Sequence, residues 1–115
     1  MTKKPLLSIC IPTYNRERYI KILLESIVSQ WWFTDEIEIV IDDGPSKDAT
    51  EALVKEYQKK YPNIRYFRNP KAIGMLPAIM EVISLSNGTY TWLFSSDDFM
   101  HHDALEITLD AIKKF

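Results

Sequence analysis

This chain of 115 residues has one cysteine, no apolar run long enough to cross a bilayer, no low-complexity tract and no internal repeat. Each absence removes a class of protein. A membrane-spanning helix needs about 20 predominantly apolar residues, and the N-terminal segment lacks the apolar centre of a signal peptide. The chain is therefore expected to be soluble and to stay in the cytoplasm. Cys10 fits that compartment, because inside Leu7-Ser8-Ile9-Cys10-Ile11 a lone cysteine reads as a small buried hydrophobe rather than a thiolate nucleophile. The formal charge of only -2, spread over mixed acidic and basic residues, leaves no broad cationic face, which argues against nucleic acid as a partner. Lys3-Lys4, Lys59-Lys60 and Lys113-Lys114 read as solvated ends of elements, with contact to an anionic membrane surface as the alternative for the terminal pairs.

What is present is apolar material arranged in periods. With 46% hydrophobic residues, the chain can bury the core of one compact α/β domain. Short apolar runs alternate with stretches of helical period, the pattern of βαβ units and a mainly parallel sheet of about four strands. Leu6 to Ile11 reads as a strand stopped by Pro12. Tyr19, Ile20, Leu23, Leu24, Ile27 and Val28 then trace one helix face, which ends before Trp31-Trp32. Glu38 to Ile41 is a second strand. After the Gly44-Pro45 turn, Asp48 and Glu51 are spaced as a capping box for a helix burying Leu53, Val54, Tyr57 and Tyr61. Ile64 to Phe67 is a third strand, Asn69 to Gly74 a breaker-rich loop, and Met75 to Ser86 a third helix. Asn87-Gly88 turns into a fourth strand, Thr89 to Phe94, read as buried because of Trp92-Leu93-Phe94. A last helix from about Asp103 points Leu105, Leu109 and Ile112 inward.

Two acidic pairs stand out against this frame. Asp42-Asp43 follows Ile39-Val40-Ile41, and Ser95-Ser96-Asp97-Asp98 follows Trp92-Leu93-Phe94. Carboxylates beside an apolar core cost free energy unless they are solvated, paired or bound to a cation. A hard divalent ion takes one or two of them, completed by water and substrate phosphate. In an open parallel sheet ligands bind outside the carboxyl ends of the strands, where all four polar clusters fall: Pro12 to Asn15, Asp42 to Ser46, Arg68 to Gly74 and Ser95 to Asp98. His101-His102 reads as solvent-facing loop, since adjacent residues point apart and rarely chelate one Zn²⁺ together. Trp31-Trp32-Phe33 reads as the closure of a core, with a sugar platform or a subunit contact as the alternative.

Ile11-Pro12-Thr13-Tyr14-Asn15-Arg16, then Gln30, then Asp42-Asp43-Gly44 with Ser46, Asp48 and Thr50, then Gly88-Thr89-Tyr90 and Ser96-Asp97-Asp98 resemble the family-two glycosyltransferases of GT-A fold. Within that family the chain is similar to bacterial surface-polysaccharide enzymes of the abequosyltransferase type. The resemblance implies a Rossmann-like three-layer αβα half of a GT-A fold. Residues 1–115 would be its nucleotide-sugar-binding half, with the acceptor-binding half and the catalytic base lying beyond this chain, so that the chain alone would transfer little or no sugar. It also implies roles. Pro12 and Tyr14 line the nucleotide base, a packed loop aromatic being the other reading of Tyr14. Asp43 accepts an N–H of the base, which favours a UDP- or dTDP-type donor. Thr13, Asn15, Arg68, Lys71, Gly74 and Asp97 complete the nucleotide site. Asp42 either joins them or braces the Gly44-Pro45 turn. Asp97 and Asp98 hold Mn²⁺ or Mg²⁺ against the diphosphate, capping of the next helix being the alternative.

The sequence departs from the family pattern in places. Ser95 stands where many members carry the first Asp of the DXD element, Pro45 is an insertion, and Ala72 and Ala78 occupy a region where many members carry Asn and Arg. The acceptor is expected to be a saccharide or lipid-linked saccharide, with the full protein at the inner face of the membrane and with dimerisation through the open sheet edge. Two rivals belong to other classes. A receiver-type phosphoacceptor domain requires an acidic pair after the first strand, where Pro12-Thr13 stands instead, and a noncatalytic GT-A-like interaction module would fold without binding nucleotide.

Overall fold

The computed structural model describes residues 4–30 and 35–114. Its elements run β1 (Leu7–Thr13), α1 (Glu17–Val28), β2 (Ile37–Asp43), α2 (Thr50–Lys60), β3 (Ile64–Arg68), α3 (Met75–Ser84), β4 (Tyr90–Leu93) and α4 (Ala104–Ile112). The four strands form one all-parallel sheet in the order β3-β2-β1-β4. The chain adds strands outward from β1 to β3 and then crosses to the other side of β1. The switch therefore falls between β1 and β4, and a right-handed crossover there puts α3 on the face opposite α1 and α2.

The alternation of side chains along each strand separates two faces. Leu7, Ile9 and Ile11 with Ile37, Ile39, Ile41 and Ile64 pack against α1, α2 and α4 in the main core. α1 supplies Ile20, Leu23, Leu24 and Ile27 to it, the i, i+3, i+4, i+7 spacing of one apolar stripe. The other face is thin. Cys10 and Val40 meet Val82 of α3, with Phe67 and Leu85 at the margin. Beyond them lies a polar network. Glu38, only 3% exposed, accepts the Ser8 hydroxyl at 2.5 Å, Arg65 at 3.0 Å and the Asn87 amide at 2.7 Å.

Several expectations are corrected. β1 runs through Pro12 to Thr13, because a strand end tolerates the missing donor. Tyr19 faces solvent, where the Arg16 guanidinium lies over its ring. The capping box does not form: Asp48 accepts the Thr50 amide and hydroxyl, while Glu51 pairs with Lys55 one turn on. Among the described residues β4 is an edge strand rather than a buried one, with Tyr90 and Leu93 exposed. Only Trp92 and, just past the strand, Phe94 turn toward the main core. An apolar run does not by itself distinguish an edge from a centre. Trp31-Trp32-Phe33 and Lys3 lie outside the described residues. Cys10 is fully buried, and burial pushes its thiol up to about 11, as suits a core residue.

Candidate functional site

The four loops at the carboxyl ends of the strands are tied to one another. The first two interlock. The Gly44 amide donates to the Thr13 carbonyl at 3.0 Å, the Asn15 amide to the Ser46 hydroxyl at 2.8 Å, and the Lys47 amide to Asn15 Oδ1 at 2.7 Å. Asn15 makes these bonds from φ 54°, a left-handed conformation that its short polar side chain tolerates. One turn further out, Glu17 and Asp48 exchange bonds with each other's loop: the Glu17 amide donates to Asp48, and the Ala49 amide to Glu17. Against the cost of burial, the Thr50 hydroxyl first and then the Thr50 and Glu17 amides hold the Asp48 carboxyl below the usual carboxylate range.

The acidic pair ending β2 is divided between the two faces of the sheet. Asp43 is wholly buried on the main-core side. Its Oδ1 accepts the Ser46 amide at 2.7 Å and the Ser46 hydroxyl at 2.6 Å. Its Oδ2 accepts the Tyr66 hydroxyl at 2.5 Å, and Arg68 stands 3.6 Å away. Burial first, and then the bond to Asp43, raise the Tyr66 pKa, with Arg68 opposing. A carboxylate offers about four acceptor positions, of which hydrogen bonds take three here, with the Arg68 guanidinium standing by as an ion-pair partner. Asp43, not Asp42, therefore braces the Gly44-Pro45 turn, and a base N–H reaches it only where a present partner yields. Half-exposed Arg68, the most distant of them, is the group placed to do so. Thr13, opposite Asp43 in the register, has a buried hydroxyl oxygen without a partner among the described residues.

Asp42 points to the α3 face, 1% exposed. Its Oδ1 accepts Asn69 Nδ2 at 2.6 Å, while the Asn69 amide donates to the Asp43 carbonyl at 2.7 Å, so the end of β2 grips the start of the third loop twice. That loop carries exposed Lys71 and ends at Gly74, whose φ of 87° suits glycine at the entry to α3. Half-buried Pro12 and exposed Tyr14 flank the pair, Tyr14 lying against Gly44.

The fourth loop closes the ring. Asp97 Oδ2 meets Arg16 Nη1 at 3.3 Å, and the Ser95 hydroxyl donates to Asp97 Oδ1. Ser95 first, and Arg16 after it, hold the Asp97 carboxyl below its ordinary value. Asp98 is exposed, and neither Asp97 nor Asp98 caps α4. Exposed carboxylate oxygens are the donor set that suits Mg²⁺ or Mn²⁺. Arg16, Ser46, Tyr66, Asn69 and Glu81 had no assigned role in the sequence. Arg16 and Ser46 stand in the family motifs without a role, and Ser46 bonds Asp43 three residues back; Tyr66, Asn69 and Glu81 act through partners distant in the chain, so no local pattern flags them.

His101 and His102 are both exposed, yet their rings lie 4.3 Å apart rather than pointing away from each other. His101 Nδ1 is engaged by Asp103 at 2.6 Å, at the positive end of α4, where a helix dipole opposes a cation.

Comparison with known proteins bears on this arrangement. Residues 8–115 match the glycosyl transferase family 2. The chain belongs to that family. Among curated relatives, the abequosyltransferase RfbV of Salmonella typhimurium is 43% identical over 103 residues, covering 89% of this chain and 31% of that protein. Chondroitin synthase of Escherichia coli is 35% identical, covering 99% of this chain and 16% of its own length. Among solved structures, S. aureus TarS 1-349 in complex with UDP-GlcNAc superposes with a TM-score of 0.84 at 28% identity, covering 95% of this chain and 31% of that one. The chain thus spans about a third or less of the family-two proteins it matches here. Family membership sets aside the receiver-type reading.

Proposed function

We propose that this chain is the donor-binding half of an inverting glycosyltransferase that takes a UDP- or dTDP-linked sugar and passes the sugar to a saccharide or lipid-linked acceptor in bacterial surface-polysaccharide synthesis. The observation that carries the reading is the convergence of all four strand-end loops, through Asn15–Ser46, Asn69–Asp42 and Arg16–Asp97, on one edge of a family-two fold. Support for the nucleotide comes from TarS, a neighbour of the same fold solved with UDP-GlcNAc. Support for the polysaccharide setting comes from the abequosyltransferase and chondroitin synthase relatives.

In this reading Tyr14 and Pro12 receive the planar base, one face to the aromatic ring and one edge to the rigid backbone. Asp43 accepts the base N–H as Arg68 swings off its carboxylate toward the nucleotide. Thr13, Asn15 and Gly74 line the backbone-rich floor, and Lys71 faces the phosphates with Asp42 anchoring its loop from beneath. Asp97 and Asp98 would hold Mn²⁺ or Mg²⁺, which when bound supplies positive charge to the departing diphosphate. Arg16, already within 3.3 Å of Asp97, adds a fixed positive charge at the same corner. An acceptor hydroxyl forms its bond to the anomeric carbon as the bond to the diphosphate breaks, and its proton passes to a base outside this chain.

The test is calorimetric titration with UDP and Mn²⁺. Wild type is expected to bind, and Asp98→Ala and Asp43→Ala to weaken binding about tenfold or more, equivalent to roughly 1.4 kcal/mol or more. Circular dichroism guards against misfolding of the buried Asp43 variant. Binding left unchanged by both substitutions would sink the site assignment. A folded wild type with no affinity for UDP would favour a noncatalytic module.

A further inference from the structure

The α3 face hides a charge problem that nothing in the nucleotide site requires. Asp42 Oδ2 and Glu81 Oε2 are both buried, and among the described residues neither meets a hydrogen-bond donor. The two carboxyl groups are each other's neighbours, Asp42 at the end of β2 and Glu81 on the inner side of α3. Two ionised carboxylates in contact, out of water and without a cation, cost several kcal/mol.

The surrounding charges do not resolve it. β1 presents Pro12 beside Asp42, and Cys10 one step down, its thiol neutral. β3 presents Phe67 beside Asp42, and Arg65 lower down, where it is occupied by Glu38 and by the Leu85 carbonyl. Arg68 pairs with Asp43 on the opposite face, and Lys71 is exposed in the loop. Asn69 donates to Asp42, but to the other oxygen. What remains is a proton. With one hydrogen between them, the two orphaned oxygens become the donor and acceptor of a single bond. Burial first, and then Glu81, push the Asp42 carboxyl up to about 7, in keeping with that arrangement.

We propose that Asp42 and Glu81 share one proton and together act as a positioning pair, fixing the loop from Asn69 to Gly74 at the diphosphate side of the nucleotide site. The role in the site rests on the donor-binding reading above; the shared proton does not. Held at a single negative charge, the pair lets Asp42 Oδ1 keep its 2.6 Å bond to Asn69, which fixes the base of the loop that carries Lys71. When the proton leaves to water, the two carboxylates repel, Asp42 turns away and the loop loses one of its two ties to β2.

The sign of the effect follows. A carboxyl whose folded pKa of about 7 exceeds its ordinary 3.8 holds more proton folded than unfolded, so its stabilising contribution is complete below the ordinary value and is lost as pH rises through about 7.

Two measurements on the whole chain test the pair, using wild type, Glu81→Gln and Asp42→Asn. Carboxyl-carbon NMR should find Asp42 titrating near pH 7 in wild type and clearly lower in Glu81→Gln, where burial alone still holds it above the ordinary carboxylate range. Affinity for UDP with Mg²⁺ should decline in wild type between about pH 6 and about pH 8 and stay nearly level in Glu81→Gln. Asp42→Asn, which removes the other carboxyl, should be equally level and guards against a folding failure of the first variant. Asp42 titrating normally in wild type overturns the shared proton. A normal UDP site with identical pH profiles in wild type and both variants overturns the positioning role. Absence of UDP binding at any pH overturns the nucleotide reading and with it that role, whereas the NMR titration, which uses no nucleotide, still decides the proton.

Discussion

The two faces of the sheet solve the same burial problem with opposite materials. On one side α1, α2 and α4 cover an aliphatic surface of Ile, Leu and Val from β1, β2 and β3. On the other, α3 and the Asn87-Gly88 turn cover Ser8, Cys10, Glu38, Val40 and Asp42, and α3 directs Leu76, Met80 and Ile83 outward to solvent. The first face is held by apolar area, roughly proportional to what it removes from water and indifferent to small angular error. The second is held by a few bonds that must all be made, and removing one partner leaves another polar group stranded. In this protein the apolar face gives the fold its rigidity. The polar face carries the elements whose position responds to charge.

Substitutions on the two sides should separate these mechanisms. The largest effect is expected on the apolar side: Leu24→Ala, in a fully buried position, should cost about 2–5 kcal/mol in urea denaturation. Glu38→Ala breaks the Ser8, Arg65 and Asn87 bonds at once and should cost about 3 kcal/mol, a loss that addition of salt does not reproduce because the carboxylate is buried. If Glu38→Ala is nearly silent, the polar face is not held by its network and the contrast fails. Gly88→Ala should cost about 1–3 kcal/mol, since an added Cβ would sit 2.6 Å from the Ser8 hydroxyl and 2.7 Å from its backbone nitrogen. Thermal denaturation with Ser8→Ala as a partner mutation tests whether the hydroxyl or the backbone sets that cost. Smallest of all, Met80→Ala on the outer stripe of α3, 66% exposed, should change stability by no more than about 0.5 kcal/mol.

Much of the fold was legible before the structure. Ile20, Leu23, Leu24, Ile27 and Val28 declared their helix, and Ile39-Val40-Ile41 and Ile64 their strands, because burial on one face imposes a short period that survives in the sequence. The fourth strand shows where that signal ends. Trp92-Leu93-Phe94 is as apolar as a central strand, yet β4 pairs only with β1 among the described residues. The capping box failed for a related reason. Asp48 and Glu51 have the right spacing, but Asp48 is drawn toward the amide of Glu17 in another loop, and Glu51 finds Lys55. Local spacing lists the bonds a residue is able to make, and tertiary neighbours choose among them.

The sequence by itself determined the order of elements, the parallel α/β class and the edge of the sheet at which polar residues gather, because these follow from periods and turns within a few residues of chain. Only the tertiary structure decided what each carboxylate meets. Asp43 is occupied by Tyr66, 23 residues away, and Asp97 by Arg16, 81 residues away, while Asp42 faces Glu81 on the helix that covers its own side of the sheet. A carboxyl group's state depends on the charges, donors and water within a few ångströms, and those are set by packing rather than by sequence neighbours. Two adjacent aspartates therefore face opposite sides of one sheet, one held by three donors and the other left to share a proton.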